Sequence, residues 1–125
     1  MRNKRYLSAA TLFTALAFGH VAAISQPMFE QGVLFTETRL ALYTFDNDVA
    51  GSGKSVCNAP CSNIFPPYLV KTTDTVSGDY SVVVRQDGSK QWAYKGRPLY
   101  TFYNDKAGDK GGDGLNRNLW HLVRE

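Results

Sequence analysis

The segment Leu42-Tyr43-Thr44-Phe45-Asp46-Asn47-Asp48 returns 57 residues later as Leu99-Tyr100-Thr101-Phe102-Tyr103-Asn104-Asp105, with only its fifth position changed. This duplication constrains the fold more than any other feature of the chain. A small hairpin cannot cover its own apolar face, whereas a second copy of the same unit can. The expected architecture is therefore all-β. Two related antiparallel units, at about residues 29–70 and 80–124, should pack as one small sandwich or barrel-like domain over residues 24–125.

Periodicity supports strands on both sides of the repeat. Tyr80, Val82, Val83 and Val84 open a β-branched run, the turn residues Asp87 and Gly88 follow, and alternation resumes through Trp92 and Tyr94. Lys95-Gly96 then makes a tight turn into residues 98–102, completing a predicted three-stranded meander. In the first copy, residues 32–36 and 40–45 flank a connection at 37–39 that matches the Lys95-Gly96 turn, and residues 119–123 form a last strand. A short helical turn fits residues 60–63. With a side-chain period of two, Tyr43 and Phe45 share one strand face and Leu42 and Thr44 the other; Tyr100 and Phe102 against Leu99 and Thr101 repeat the arrangement. The rings suit a core across the interface between the copies, with the Tyr hydroxyls reaching a backbone group or a motif Asp. An exposed aromatic platform, for a sugar or a tyrosine-ligated haem, is the functional alternative.

The first 23 residues read as a signal peptide: Arg2, Lys4 and Arg5 precede an apolar stretch at 7–18, and Val21-Ala22-Ala23 supplies small residues for cleavage near Ala23. The apolar stretch is short for a membrane span, and no later segment is apolar enough to be one. No cysteine follows the cleavage region, so the lipid-attachment pattern is missing and no transmembrane anchor is expected in the mature chain. Three of the 14 Lys and Arg lie in this leader, and the remaining 11 equal the 11 Asp and Glu. The mature chain is thus formally neutral, which argues against a nucleic-acid or anionic-membrane partner. Lys54, Lys71, Arg85 and Lys110 read as scattered members of a solvated surface.

Cys57 and Cys61 suit a structural disulfide in an oxidising compartment, pinning a local turn. A redox-active pair lacks the Cys-x-x-Cys spacing, and zinc would need ligands beyond these cysteines and His121. After each motif runs a polar, Gly-rich loop containing acids. Asp105, Asp109 and Asp113 supply hard oxygen ligands for a speculative calcium site, although they recur every fourth residue among lysines. The competing reading has Asp48 and Asp105 accepting backbone N–H groups in turns that end the strands. Phe65, 22 residues after Tyr43, and Trp120, 20 after Tyr100, are candidate equivalents.

The tandem Tyr-x-aromatic-x-x-Asp motif, Cys57 and Cys61 followed by Phe65-Pro66-Pro67, and the closing Gly112-Asp113-Gly114-Leu115 to Trp120 resemble a bacterial secreted-repeat family of predicted lipoproteins, whose biochemical role is unassigned. The resemblance spans most of residues 29–124 and implies an exported envelope protein with motif positions Tyr43, Phe45, Asp48, Tyr100, Phe102 and Asp105. This chain lacks the lipid-bearing cysteine and has Phe65 where the pattern expects Trp. Two function classes follow. One is a non-catalytic binding or interaction module, periplasmic or secreted, contacting an envelope protein or small ligand. The other is a metal-binding, haem-binding or redox-linked protein using the loop acids, Tyr43, Tyr100, His121 or the cysteines. A carboxylate pair of Asp48 with Asp105, or catalysis by His121, would make it an enzyme; no nucleophile and base motif points to one.

Overall fold

A computed structural model describes residues 26–125; the signal peptide expected at 1–23 lies outside the described residues. The elements run β1 (Met28–Glu30), β2 (Val33–Phe35), β3 (Tyr43–Phe45), α1 (Cys61–Ile64), β4 (Tyr80–Val84), β5 (Lys90–Tyr94), β6 (Arg97–Pro98), α2 (Leu115–Asn118) and β7 (Trp120–Leu122). They form three antiparallel sheets, β1-β2, β3-β7 and β4-β5-β6, in a small all-β arrangement with no closed barrel.

Each copy's motif strand pairs with the tail of the other copy. At the centre, Tyr43 N–H donates to Tyr100 C=O at 2.8 Å and Tyr100 N–H donates back to Tyr43 C=O at 3.0 Å. On one side Tyr43 lies opposite Leu122 and Phe45 opposite Trp120. On the other, Tyr100 bridges Pro67, and Tyr103 N–H donates to Ile64 C=O just as Asp46 N–H donates to Leu119 C=O. The correspondence extends outward: Leu34 N–H reaches Val123 C=O and Leu42 C=O receives Val123 N–H, while Trp92 N–H reaches Tyr68 C=O and Leu99 C=O receives Tyr68 N–H. The copies are therefore intertwined rather than merely stacked.

This crossing explains where the predicted meander stops. The predicted meander forms as β4-β5-β6, but its third strand is shorter than residues 98–102: β6 is Arg97–Pro98, Leu99 N–H still reaches Trp92 C=O, and from Tyr100 onward the chain bonds with Tyr43, Pro66 and Pro67 of the first copy. Of the predicted strand at 40–45, residues 43–45 form β3, while residues 40–42 pair back on their own copy through the Ala41–Phe35 bridge, with Thr36 N–H donating to Leu40 C=O and Leu42 N–H to Leu34 C=O. The predicted last strand keeps residues 120–122. The helical turn expected at 60–63 is α1, shifted by one residue. Two elements were not legible: β1, which pairs with β2 through the Gln31-Gly32 turn, and α2.

Strand alternation divides the apolar residues into two cores. Tyr43, Phe45, Phe65, Tyr100 and Trp120 form one with Val33, Phe35 and Cys57; Leu34, Leu42, Trp92, Leu99 and Val123 form the other. Phe65 and Trp120, the expected equivalents, meet face to face at 3.7 Å with an interplanar angle of 4°. Phe45 stacks on Trp120 at 4.3 Å, and its counterpart Phe102 packs tilted on Phe65 at 5.0 Å. Fully burying one large apolar side chain stabilises by roughly 1.5–3 kcal/mol, and an aromatic pair adds about 0.5–1.5. This four-ring row is consequently the main apolar joint between the copies.

Candidate functional site

The motif side chains meet across the copies. Tyr43 Oη donates to Asp105 Oδ2 at 2.5 Å, and Tyr100 Oη donates to Asp48 Oδ2 at 2.7 Å. Each carboxylate uses its other oxygen to anchor its own loop: Asp48 Oδ1 accepts Val56 N–H at 2.7 Å, and Asp105 Oδ1 accepts Gly111 N–H at 2.8 Å. The candidate pair Asp48 and Asp105 thus serves two different tyrosines. Both Tyr side chains are buried, so the motif is an internal lock and not an aromatic platform. Burial raises both phenol pKa values, the Asp105 hydrogen bond adding to the shift at Tyr43.

Behind Tyr100 runs a polarised chain. Arg85 Nη1 donates to Ser55 Oγ at 2.9 Å, the Ser55 hydroxyl donates to Tyr100 Oη at 2.6 Å, and Tyr100 donates to Asp48. Arg85 also donates to Gln91 Oε1 at 2.8 Å and to Cys57 C=O at 2.7 Å. This corrects the reading of Arg85 as solvated surface: it is 7% exposed. The sequence carried the signal, since Arg85 shares a strand face with buried Val83 while Val82 and Val84 are exposed. Burial pushes the Asp48 carboxyl above the ordinary aspartate range, while Val56 N–H, Tyr100 and the charges of Arg85 and Arg97 pull it down.

At Tyr43 the second donor is main chain. Gly112 N–H donates to Tyr43 Oη at 3.0 Å, and a Cβ on Gly112 would lie 2.9 Å from both Phe65 Cε1 and Tyr43 Cζ. Only glycine lets this strand of loop press onto the two rings.

The expected calcium ligands do not converge. Asp105 is committed to Tyr43 and Gly111, Asp109 Oδ2 accepts Lys106 N–H at 2.9 Å, and Asp113 Oδ1 accepts Leu122 N–H at 3.0 Å. Among the described residues no group of three or more His, Cys, Asp or Glu is placed to hold a metal ion. Asp48 and Asp105 each accept a backbone N–H of their own loop, from Val56 and Gly111. Nor do the haem candidates share a site: His121 lies opposite Thr44, on the strand face away from Tyr43, and its Nε2 is 2.9 Å from Asp46 Oδ2.

Cys57 and Cys61 are joined in a disulfide, with Cys57 fully buried beside the aromatic row. Cys61, Ile64 and Phe65 from this turn face Leu115, Asn116 and Trp120 across an apolar cleft of about 360 Å3. The far wall is unusual: Asn116, Arg117 and Asn118 have φ of 53°, 57° and 64°. Three consecutive left-handed non-glycine residues cost about 1–2 kcal/mol each, less for Asn, whose short polar side chain tolerates the region. Ile64 and Leu115 are 43% and 38% exposed at the rim. Sequence reading missed this cleft because its walls come from two loops that only the crossed pairing brings together.

Among the described residues, no helix is long and apolar enough to cross a membrane. Neither the curated proteins nor the solved structures contain a match to this chain. Residues 81–124 match the model of a family described as a secreted repeat of unknown function.

Proposed function

We propose that this is an exported, non-catalytic binding module of the cell envelope, whose ligand enters the cleft between the disulfide turn and the left-handed turn. The secreted-repeat match supports export, as does the leader-like sequence at 1–23. The observation that carries the binding reading is the cleft itself: an apolar hollow with Asn116 as the polar residue in its lining, set beside a strained backbone segment. Strain of this kind persists where the surroundings hold it in place, and it clusters at ligand clamps. The motif residues are spent on the lock between repeats, which leaves recognition to the loops they support. The cleft's size and lining suit a small apolar ring bearing one hydrogen-bonding group, as a free ligand or as a partner's side chain.

The test is a titration of the mature protein with indole and with p-cresol, followed by amide chemical shifts and Trp fluorescence. Saturable shifts confined to Ile64, Leu115, Asn116 and Trp120, lost in Leu115→Glu, are expected. Absence of saturable shifts at millimolar probe, with the fold intact by near-ultraviolet circular dichroism, overturns the assignment.

A further inference from the structure

We infer that a second cleft, away from the apolar one, is an oxyanion site in which Lys110 and Arg124 take a phosphate-type group, either free or carried on a lipid headgroup. Three segments distant in sequence build it, and they enclose about 220 Å3. Arg39 comes from the connection between β2 and β3, Lys110 from the loop after the second motif, and Arg124 from the residues after β7. Gly108 N–H donates to Arg39 C=O at 2.9 Å, so the loop carrying Lys110 is tied to the turn carrying Arg39. Val33 bridges Arg124, which fixes the third cation's backbone against β2.

The cations differ in how far they are already satisfied. Arg39 Nε and Nη2 donate to both oxygens of Glu30 at 3.2 and 2.6 Å, so this pair is internally neutral. Arg124 Nη2 is 3.6 Å from Asp113 Oδ2, at the loose end of ion pairing. Among the described residues Lys110 has no carboxylate within ion-pair distance; its ammonium sits 5.7 Å from the Phe35 ring centroid, which Arg39 Cζ also approaches to 5.8 Å. Three cations against Glu30 in the lining and Asp113 beside Arg124 leave one positive charge in excess in a partly enclosed space, which favours an anion. The volume falls below the roughly 300 Å3 at which pockets for drug-sized ligands begin, so the group that enters is compact.

The other repeat offers an internal control. Where Val33 bridges Arg124, the matching bridge joins Gln91 to Leu69, and Lys110 corresponds to Ser55. Gln91 and Ser55 both receive hydrogen bonds from Arg85, so at that position the chain's own buried side chain occupies the space. Around the Val33–Arg124 bridge, Arg39, Lys110 and Arg124 line an accessible cleft instead.

The experiment titrates the mature protein with inorganic phosphate at constant ionic strength, with chloride as control, reading the Arg39 Nε–H and Phe35 ring resonances. A parallel arm measures co-sedimentation with phosphatidylglycerol and with phosphatidylcholine vesicles. Saturable phosphate shifts, weakened about tenfold in Lys110→Ala and in Arg124→Ala, support the site. Phosphate saturation without vesicle binding assigns a free anion; vesicle binding that requires phosphatidylglycerol and is lost in both variants assigns a headgroup. Shifts that stay linear, or that are equal in wild type and both variants, overturn the inference. Both side chains are surface-exposed, and unchanged near-ultraviolet circular dichroism verifies that the variants fold.

Discussion

The two tyrosine–aspartate locks share one motif and differ in what stands behind the tyrosine. At Tyr100 the oxygen is fed by Ser55 and, through it, by the buried guanidinium of Arg85. At Tyr43 it is fed by the main-chain N–H of Gly112. Asp48 is 3% exposed, whereas Asp105 lines an open surface hollow with Asn104, Asp109 and Lys110. The first lock has the more deeply buried carboxylate and depends on it more; the second is forgiving at the carboxylate and unforgiving at the glycine. Duplication supplied one geometry, and the copies met its hydrogen-bonding demand with a buried charge in one case and with close backbone approach in the other.

Substituting the two aspartates breaks the comparison most directly. Asp48→Ala takes the acceptor from the buried Tyr100 hydroxyl and from Val56 N–H and removes the anion that Arg85 faces, and should cost about 3 kcal/mol. For a domain of this size that lowers Tm on the order of 15 °C. Asp105→Ala removes a carboxylate that lines an open hollow, where water can take its place, and should cost about 1 kcal/mol. Urea titrations of both variants measure the difference; equal losses would remove the distinction between the locks.

The disulfide gives the next largest effect. It closes a turn of sequence separation 4 on the first copy alone. On the chain-entropy model so small a loop is worth about 2 kcal/mol. Cys57→Ser with Cys61→Ser should destabilise by that amount in thermal melts, and a variant melting like the parent would show that the turn is held by Arg85 on Cys57 C=O and by the aromatic row without the cross-link.

Much of this architecture is legible because it is local or repeated. The shared face of Tyr43 and Phe45, the turn role of the acids and the equivalence of Phe65 and Trp120 follow from period, turn chemistry and offset. What is not legible is partnership over long range. A motif Asp was an expected acceptor for a Tyr hydroxyl, but sequence spacing cannot say that it lies 52 or 62 residues away in the other copy. The same crossing truncates the predicted strand at 98–102, since Tyr100 and Thr101 donate to Tyr43 and Pro66 of the first copy. Arg85 was misplaced by charge alone, although its alternation with Val83 points inward. The turn at 116–118 left a weaker trace, in that two of its three residues are Asn.

Gly112 tests the second lock from the other side. At the spacing that relates Phe65 to Trp120 its counterpart is Cys57, a residue with a Cβ, whereas a Cβ at Gly112 would be 2.9 Å from two ring carbons. Gly112→Ala should cost about 1.5 kcal/mol by overpacking, and Cys57 should tolerate Ala apart from loss of the disulfide. The change should also lengthen the Gly112 to Tyr43 hydrogen bond, seen as faster amide exchange at Gly112.

The smallest predicted effect is titration. Burial raises the phenol pKa of Tyr43 and of Tyr100, and holds Tyr68 and Tyr80 up to about 12, above the ordinary value near 10. A folded-state pKa above the unfolded one gives stability that is complete below pH 10 and lost as pH rises towards the folded value. At pH 10 half of each unfolded-state phenol is ionised, so each tyrosine already subtracts about 0.4 kcal/mol. Asp48 has the same sign at the acid end: its raised pKa means that stability falls as pH climbs through the window just above the ordinary aspartate range. Melting curves from pH 8 to 11 should therefore slope downward beyond pH 10 in the parent, and less steeply in Tyr43→Phe and Tyr100→Phe. An equal slope in parent and both variants would mean that the locks do not withhold these phenols from ionisation; a change in Tyr100→Phe alone would mean that only the lock backed by Arg85 does.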